Sequence, residues 1–247
     1  MLSAVFTIAQ GLRANVNALT AVSDSLNTGI ATLQGQTAGA TAISSALNTL
    51  KITVTQSEGQ TGDALIATQA TIKNALANID AYAKATTING VNLLDGTTTA
   101  ATTAAPATAA FLSNVTGSAT TVSLTTSSDS KSLGLVAATF AASGLVDGTV
   151  GTATTGTTGA IALLDKAIQS IGQTLTQLGA GTVQLQGLKS FTDQLSTSNT
   201  TSLGALVDAN LSAESAKLSS LQTKQSLAIQ SLSIANQGPG ALLQLFR

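Results

Sequence analysis

A long apolar heptad stripe runs through residues 206–247, LVDANLSAESAKLSSLQTKQSLAIQSLSIANQGPGALLQLFR. Its members are three, four or seven residues apart, so they lie along one side of a helix. These members are Val207, Leu211, Leu218, Leu221, Ala228, Leu232 and Ala235. Because a helix with one apolar side is stabilised mainly by packing against a partner, we predict that this segment is an assembly element.

An apolar tail follows the stripe. It is preceded by Gly238, Pro239 and Gly240, and we expect the helix to break at this sequence because proline lacks an N–H and clashes with the preceding turn. The tail has no local reason to be apolar, so we expect it to be buried against a neighbouring subunit or a chaperone. Its apolar residues are Leu242, Leu243, Leu245 and Phe246.

Helical periodicity also dominates the rest of the chain. The pattern predicts helices over residues 4–33, 43–54 and 65–83, with breaks at 35–39 and 58–62 and an N-cap at Asp63. A further helix is predicted from Ala160, and a polar run at 196–202 separates it from the final arm. Its stripe consists of Ile161, Leu164, Ile168, Ile171, Leu175, Leu178, Leu185, Leu188 and Leu195.

The middle of the chain has a different character. Residues 86–96, TTINGVNLLDG, contain Asn-Gly and Asp-Gly pairs, which favour turns because these residues tolerate positive φ. Residues 97–156 are rich in Thr, Ala, Ser and Gly, and short strands are predicted at 119–125 and 133–140.

These patterns predict a mainly α fold in which long antiparallel helices form a coiled-coil-like bundle with a small β-rich or irregular insertion. We expect an N-terminal helical part of the core over residues 1–96, ending in a hairpin-like segment, and a surface insertion over 97–156. A C-terminal helix of the core over 157–205 and a coiled-coil arm with its tail over 206–247 complete the predicted organisation.

The composition excludes most enzyme classes. The 247 residues include no histidine and no cysteine, so neither a Ser-His-Asp triad nor a zinc site of the usual ligands can form. A carboxylate pair is the remaining catalytic arrangement, and the insertion offers only Asp129 and Asp147 for it. Both are better explained as turn residues or as solvated surface residues than as catalytic acids. We therefore expect a protein that is not an enzyme and that uses no cofactor or metal.

Charge and hydropathy exclude further partners. A net charge of −1 with scattered basic residues gives no surface for nucleic acid. No stretch approaches the length of a membrane helix, and no basic residues precede the first apolar run as in a cleaved signal peptide. We expect neither a nucleic-acid nor a membrane partner.

The stretches LVDANLSAESAKLSSLQTKQ and SLSIANQ at the C-terminal end, with INGVNLLDG after the first helices, resemble bacterial flagellins. The chain resembles alphaproteobacterial-type flagellins in particular. The resemblance covers residues 4–96 and 159–247. It implies an extracellular subunit of the flagellar filament that polymerises by helix packing for motility. It also implies homo-oligomerisation with other flagellin subunits, export through the flagellar apparatus without a cleaved signal peptide, and an export chaperone.

One part of the flagellin pattern is not found. Flagellins open with a further helical arm that pairs with the C-terminal arm, and no such text precedes residue 4. A start codon assigned too far downstream, a truncation and a natural short form are the three explanations. We expect the unpaired stripe to make unaided polymerisation of this chain weak or absent.

Two other functions are compatible with parts of the sequence. A hook–filament junction protein of the same superfamily has similar ends, although the SLSIANQ ending argues against it. A flagellin-like cell-surface glycan-binding protein would use the insertion as its ligand face, where the scarcity of aromatic residues argues against sugar stacking.

Overall fold

A computed structural model of the chain describes residues 2–95, 107–124, 133 and 156–245. Within these residues, helix α1 spans Leu2–Gln56, α2 spans Gly62–Ala85 and α3 spans Gly156–Leu245. Strands β1, Ala107–Leu112, and β2, Ala119–Leu124, form an antiparallel pair. The predicted fold class, long helices with a small insertion, is confirmed.

Helix α1 continues through the glycines at which a break was predicted, so that prediction is wrong. A Cβ at Gly35 would overlap Ile88, and a Cβ at Gly39 would overlap Thr86. Both glycines therefore allow the segment after α2 to lie against the backbone of α1. Their role is close packing between distant parts of the chain.

Helix α2 begins after the predicted turn. Residues 57–61 form that turn, and Thr61 occupies the N-cap position without a side-chain capping hydrogen bond. Asp63 lies in the first turn of the helix, so its predicted role as N-cap is wrong; a carboxylate there still faces the positive end of the helix dipole. The predicted apolar side of α2 is buried, namely Leu65, Ile72, Leu76, Ile79 and Ala83.

The INGV sequence forms the expected tight turn. Asn89 and Gly90 have φ values of 52° and 76°, and the Ile88 and Val91 backbones exchange two hydrogen bonds of 3.0 and 2.9 Å. Positive φ at both central residues is the geometry for which Asn-Gly is selected. The prediction of hairpin-like structure after α2 is therefore confirmed.

A buried glutamine holds this turn against α1. The Gln36 amide donates hydrogen bonds to the Thr86 and Val91 carbonyl oxygens at 2.6 and 3.1 Å. It also accepts one from the Leu93 N–H at 3.3 Å. Because Gln36 is fully buried, these three bonds satisfy the polar atoms of a side chain that water cannot reach.

The β hairpin packs on two glycines from two different helices. A Cβ at Gly29 of α1 would lie 2.8 Å from Phe111 Cγ, and one at Gly181 of α3 would lie 2.8 Å from Val122 Cγ1. The strand predicted at 119–125 coincides with β2. The strand predicted at 133–140 lies outside the described residues, apart from Leu133.

The chain forms two compact units, Thr20–Asp193 and a second composed of Met1–Leu19 and Gln194–Arg247. Within Thr20–Asp193, α1 and α3 run antiparallel, since Ser23 contacts Asp193 while Lys51 contacts Asp165. Both helices and α2 share one apolar core, as the periodicity predicted, and the hairpin contributes Ala109, Phe111 and Val122 to it. Its largest fully buried members include Leu26, Leu33, Ile43, Leu47, Leu50, Ile72, Ile79, Leu93 and Leu94.

Candidate assembly surface

The predicted apolar stripe is solvent-exposed along residues 207–235 of α3. Leu211 and Leu221 are each 64% exposed, and Leu218 and Leu232 are exposed to a similar degree. Ala228 and Ala235 are exposed as well, and Val207 is less exposed than the four leucines. A water-exposed row of leucines is unfavourable in an isolated chain, so this side of α3 is suited to covering by another surface.

The stripe is continuous on the helix surface. At 100° per residue its seven members fall within an arc of about 120°, and equivalent positions shift by about 20° per heptad. This shift is the drift that a left-handed supercoil corrects when two such helices wrap around each other. The geometry therefore favours coiled-coil packing rather than packing at a steep crossing angle.

Polar residues interrupt the stripe at two of its heptad positions, Glu214 and Gln225. Glu214 lies 3.4 Å from the Lys217 ammonium, and both side chains are more than half exposed. An exposed ion pair of this kind contributes about 0.2–0.5 kcal/mol. This ion pair is too weak to position the arm, so the apolar stripe is the main chemical feature of the arm.

The structure shows a second apolar row that the sequence analysis missed. Leu227 and Ile234 are seven residues apart and exposed, and they lie about 100–140° around the helix from the stripe. Ile229 is exposed beside the stripe. The seven-residue spacing of Leu227 and Ile234 is the signal that could have identified this row. Near residues 227–235 the arm is thus apolar on two sides.

The expected helix break before the tail is wrong. Helix α3 continues through Gly238, Pro239 and Gly240 to Leu245. A proline removes one hydrogen bond from the helical ladder, and near a helix end few further bonds depend on it. The backbones of Leu242, Leu243 and Leu245 belong to α3; Phe246 lies outside the described residues.

Polar contacts reinforce the compact unit Thr20–Asp193. The Lys51 ammonium lies 2.5 Å from the Asp165 carboxylate and joins α1 to α3. Asp193 accepts hydrogen bonds from Lys189 at 2.6 Å and from Ser23 at 3.0 Å. The Lys189 bond, followed by the Ser23 bond, holds the pKa of the Asp193 carboxyl below its usual value. These groups pair with one another and are arranged for cohesion between helices.

Among the described residues, no three His, Cys, Asp or Glu side chains lie close enough together to hold a metal ion. Asp129 and Asp147, the carboxylates of the insertion, lie outside them. No helix in the described part of the chain is long and apolar enough to cross a membrane. The described fold and surface define a helical structural subunit with an uncovered apolar arm.

Comparison with known proteins identifies the family. Residues 2–99 match the bacterial flagellin N-terminal helical region, and residues 161–246 match the bacterial flagellin C-terminal helical region. The chain is 33% identical to flagellin FljK of Caulobacter vibrioides over 257 aligned positions, which cover 99% of this chain and 83% of that protein.

Two further relatives come from other organisms. A flagellin of Brucella melitensis is 30% identical over 248 positions, covering 98% of this chain and 83% of the relative. Flagellin D of Rhizobium meliloti is 40% identical over 84 positions, covering 34% of this chain and 21% of the relative. The chain belongs to the bacterial flagellin family. It is a structural subunit of the flagellar filament and not an enzyme.

Proposed function

We propose that the exposed stripe of α3 is the surface through which copies of this flagellin pack together in the filament. The observation that carries the proposal is the row of exposed leucines, Leu211, Leu218, Leu221 and Leu232, along one side of a continuous helix. The contact residues are the seven stripe members from Val207 to Ala235. A neighbouring helix that covers this row removes it from water.

The energetics favour a larger interface than the stripe alone. Burying a fully exposed leucine side chain contributes about 1.5–3 kcal/mol, and these four are 59–64% exposed, so covering them contributes about 4–7 kcal/mol. Association costs about 4–15 kcal/mol in lost translational and rotational freedom. Most of this cost range lies above the gain, so stable polymerisation needs additional contacts.

The tail supplies part of this additional surface in our proposal. Leu242 lies seven residues after Ala235, and Phe246 lies four residues after Leu242, so both continue the heptad spacing. The helical backbone through Leu245 supports a stripe that continues into the tail. Leu242, Leu243, Leu245 and Phe246 then extend the same intersubunit contact.

The family also supports proposals about partners and location. The subunit leaves the cell through the flagellar export apparatus, without a cleaved signal peptide, and assembles outside the cell. Before assembly, an export chaperone covers the stripe, because an exposed row of leucines promotes aggregation. The stripe would thus bind the chaperone and the neighbouring subunit in turn.

The contact is tested by replacing two stripe leucines. The variant Leu218→Gln with Leu221→Gln places polar groups at the centre of the stripe, while Ser219→Gln places the same side chain on the opposite side of α3. Because unaided polymerisation of this chain is expected to be weak, filaments are induced with ammonium sulfate, which strengthens apolar association, and are measured by sedimentation and electron microscopy. We expect the double variant to lose filaments and Ser219→Gln to retain them. Equal assembly of both variants would exclude the stripe as the interface.

A further inference from the structure

The Asn-Gly pair at the turn after α2 has a chemistry that assembly does not use. Asn89 is the only asparagine of the chain that precedes a glycine. Asn89 and Gly90 are exposed, and their φ values of 52° and 76° are those of a type I′ turn. In the described part of the chain, no hydrogen bond engages the Asn89 amide or the Gly90 N–H.

An asparagine followed by glycine can react with its own backbone. The Gly90 nitrogen gives up its proton and attacks Asn89 Cγ, the new C–N bond closes a five-membered succinimide, and the amide nitrogen leaves as ammonia with that proton. Water then opens the ring at either carbonyl. One opening gives aspartate, and the other gives isoaspartate, whose main chain runs through Cβ. Glycine permits the attack because no Cβ shields its nitrogen.

The hydrogen bonds of the turn oppose this ring closure. The Gly90 nitrogen has to swing towards Asn89 Cγ, so the peptide between the two residues must rotate. The Ile88 and Val91 backbones exchange hydrogen bonds of 3.0 and 2.9 Å, which hold that peptide in the turn. These bonds must break before the ring can close, so the rate depends on local opening of the turn.

Helix α1 in turn holds the two residues that flank the Asn-Gly pair. Ile88 lies so close to Gly35 that a Cβ on the glycine would overlap it. The Gln36 amide donates to the Val91 carbonyl at 3.1 Å and accepts from the Leu93 N–H at 3.3 Å. Because Gln36 is fully buried, opening of the turn removes partners that water cannot replace, and opening is therefore rare.

We propose that Asn89 is a site of spontaneous deamidation and that Gln36 slows the reaction by holding the turn closed. Isoaspartate adds one carbon to the main chain between Ile88 and Val91, so their two hydrogen bonds cannot re-form in register. The loss of ammonia makes the conversion irreversible. Each conversion therefore releases the segment after α2 from α1 permanently, with water as the only co-reactant.

The wild-type chain gives the first test. The full chain is incubated in mildly alkaline buffer, natively and in guanidinium chloride, and fragmentation of the tryptic peptide 85–131 locates the replacement of NH2 by OH. The same peptide contains Asn114, which precedes the β-branched Val115 and is the internal control. We expect conversion at Asn89 to be at least about tenfold slower natively than in guanidinium, with little at Asn114. Equal rates in the two samples would overturn the protection, and no excess at Asn89 over Asn114 in guanidinium would overturn the site.

The variant Gln36→Leu tests the role of the buried amide. We expect native conversion at Asn89 to be at least about tenfold faster than in the wild type, because the turn opens more often. The matched control is Gln34→Leu, an exposed position of the same helix, which should convert at the wild-type rate. In guanidinium all three chains should convert equally, since the restraint exists only in the fold. An unchanged native rate in Gln36→Leu would overturn its role.

A second variant covers the case in which Gln36→Leu loses its helical circular dichroism. Gly35→Ala displaces the end of the Ile88 side chain and should also raise the native rate. A native rate equal to the wild type in this variant would overturn the restraint of the turn by α1.

The consequence of conversion is measured on the converted chains themselves. The added negative charge separates them from unconverted chains by anion exchange. We expect the Leu93 amide, which donates to Gln36, to exchange with deuterium faster in converted chains. Equal exchange in the two fractions would overturn the release of the turn.

Discussion

Gly29 of α1 supports the ring of Phe111 so closely that no methyl group fits between them. A Cβ at position 29 would lie 2.8 Å from Phe111 Cγ and 2.9 Å from Leu185 Cδ1. Glycine is an unfavourable residue within a helix, by about 1 kcal/mol relative to alanine. Helix α1 therefore contains a locally unfavourable residue at the position where the hairpin and α3 meet it.

We expect Gly29→Ala to lower the free energy of unfolding, although alanine is the better helix former. Shifting Phe111 and Leu185 costs about 1–3 kcal/mol, which exceeds or cancels the gain in helix propensity. The matched control is Gly172→Ala in α3, where nothing lies within 4 Å of the added Cβ. Urea denaturation should show that Gly172→Ala is stabilised by about 0.5–1 kcal/mol. Equal stabilisation of both variants would contradict the close packing at Gly29.

The buried amide of Gln36 should be essential to the turn after α2. Replacing it with leucine removes the Gln36 partner of the Thr86 carbonyl and the Leu93 N–H, while the Val91 carbonyl keeps its bond from the Ile88 N–H. Leaving buried polar groups unpaired costs about 1–3 kcal/mol each, so we expect Gln36→Leu to lose about 2–4 kcal/mol after partial relief by water.

The control for this variant is Gln34→Leu, since Gln34 is an exposed residue of the same helix. Urea denaturation gives the two stabilities, and hydrogen exchange at the Leu93 amide reports the local bond. Gln34→Leu should change neither by much. An unchanged Leu93 exchange rate in Gln36→Leu would show that the amide does not hold the turn.

Asp193 should contribute stability that is lost in acid. The pKa of its carboxyl lies below the ordinary value of 3.8 because Lys189 and Ser23 donate hydrogen bonds to the ionised form. A lowered folded-state pKa means that the contribution is complete above the unfolded value and disappears as the pH falls through the folded value. Titration of the side-chain carboxyl by NMR should therefore give a midpoint below 3.8.

Lys189→Met tests the cause of that shift. It removes the largest source of stabilisation and should move the midpoint towards 3.8, while Lys217→Met, distant in the chain, should leave it unchanged. A wild-type midpoint at or above 3.8 would show that the bonds from Lys189 and Ser23 do not favour the ionised form.

Local signals in the sequence predicted much of this fold. The spacing of Leu65, Ile72 and Ile79 placed the buried side of α2 correctly, because tertiary packing followed the helical period. The Asn89-Gly90 pair predicted a turn because both residues adopt positive φ at little cost. In these cases the residue's own chemistry determines its conformation.

Other features depend on residues far apart in the chain. Gly35 and Gly39 indicated a break, but their environment is set by Ile88 and Thr86, about fifty residues away. Periodicity also identified the stripe from Val207 to Ala235. A periodic pattern shows which residues share one side of a helix, but not whether another element covers that side. The exposure of Leu221 and Leu232 became known from the structure.

When the protein assembles, another subunit should cover the stripe of α3. Hydrogen exchange measured by mass spectrometry over residues 206–235 tests it most directly, in the unassembled chain and in sedimented filaments. An exposed, unpartnered helix opens readily, so these amides should exchange fast before assembly and at least about 100-fold more slowly in filaments. Exchange that stays equally fast in filaments would contradict the claim.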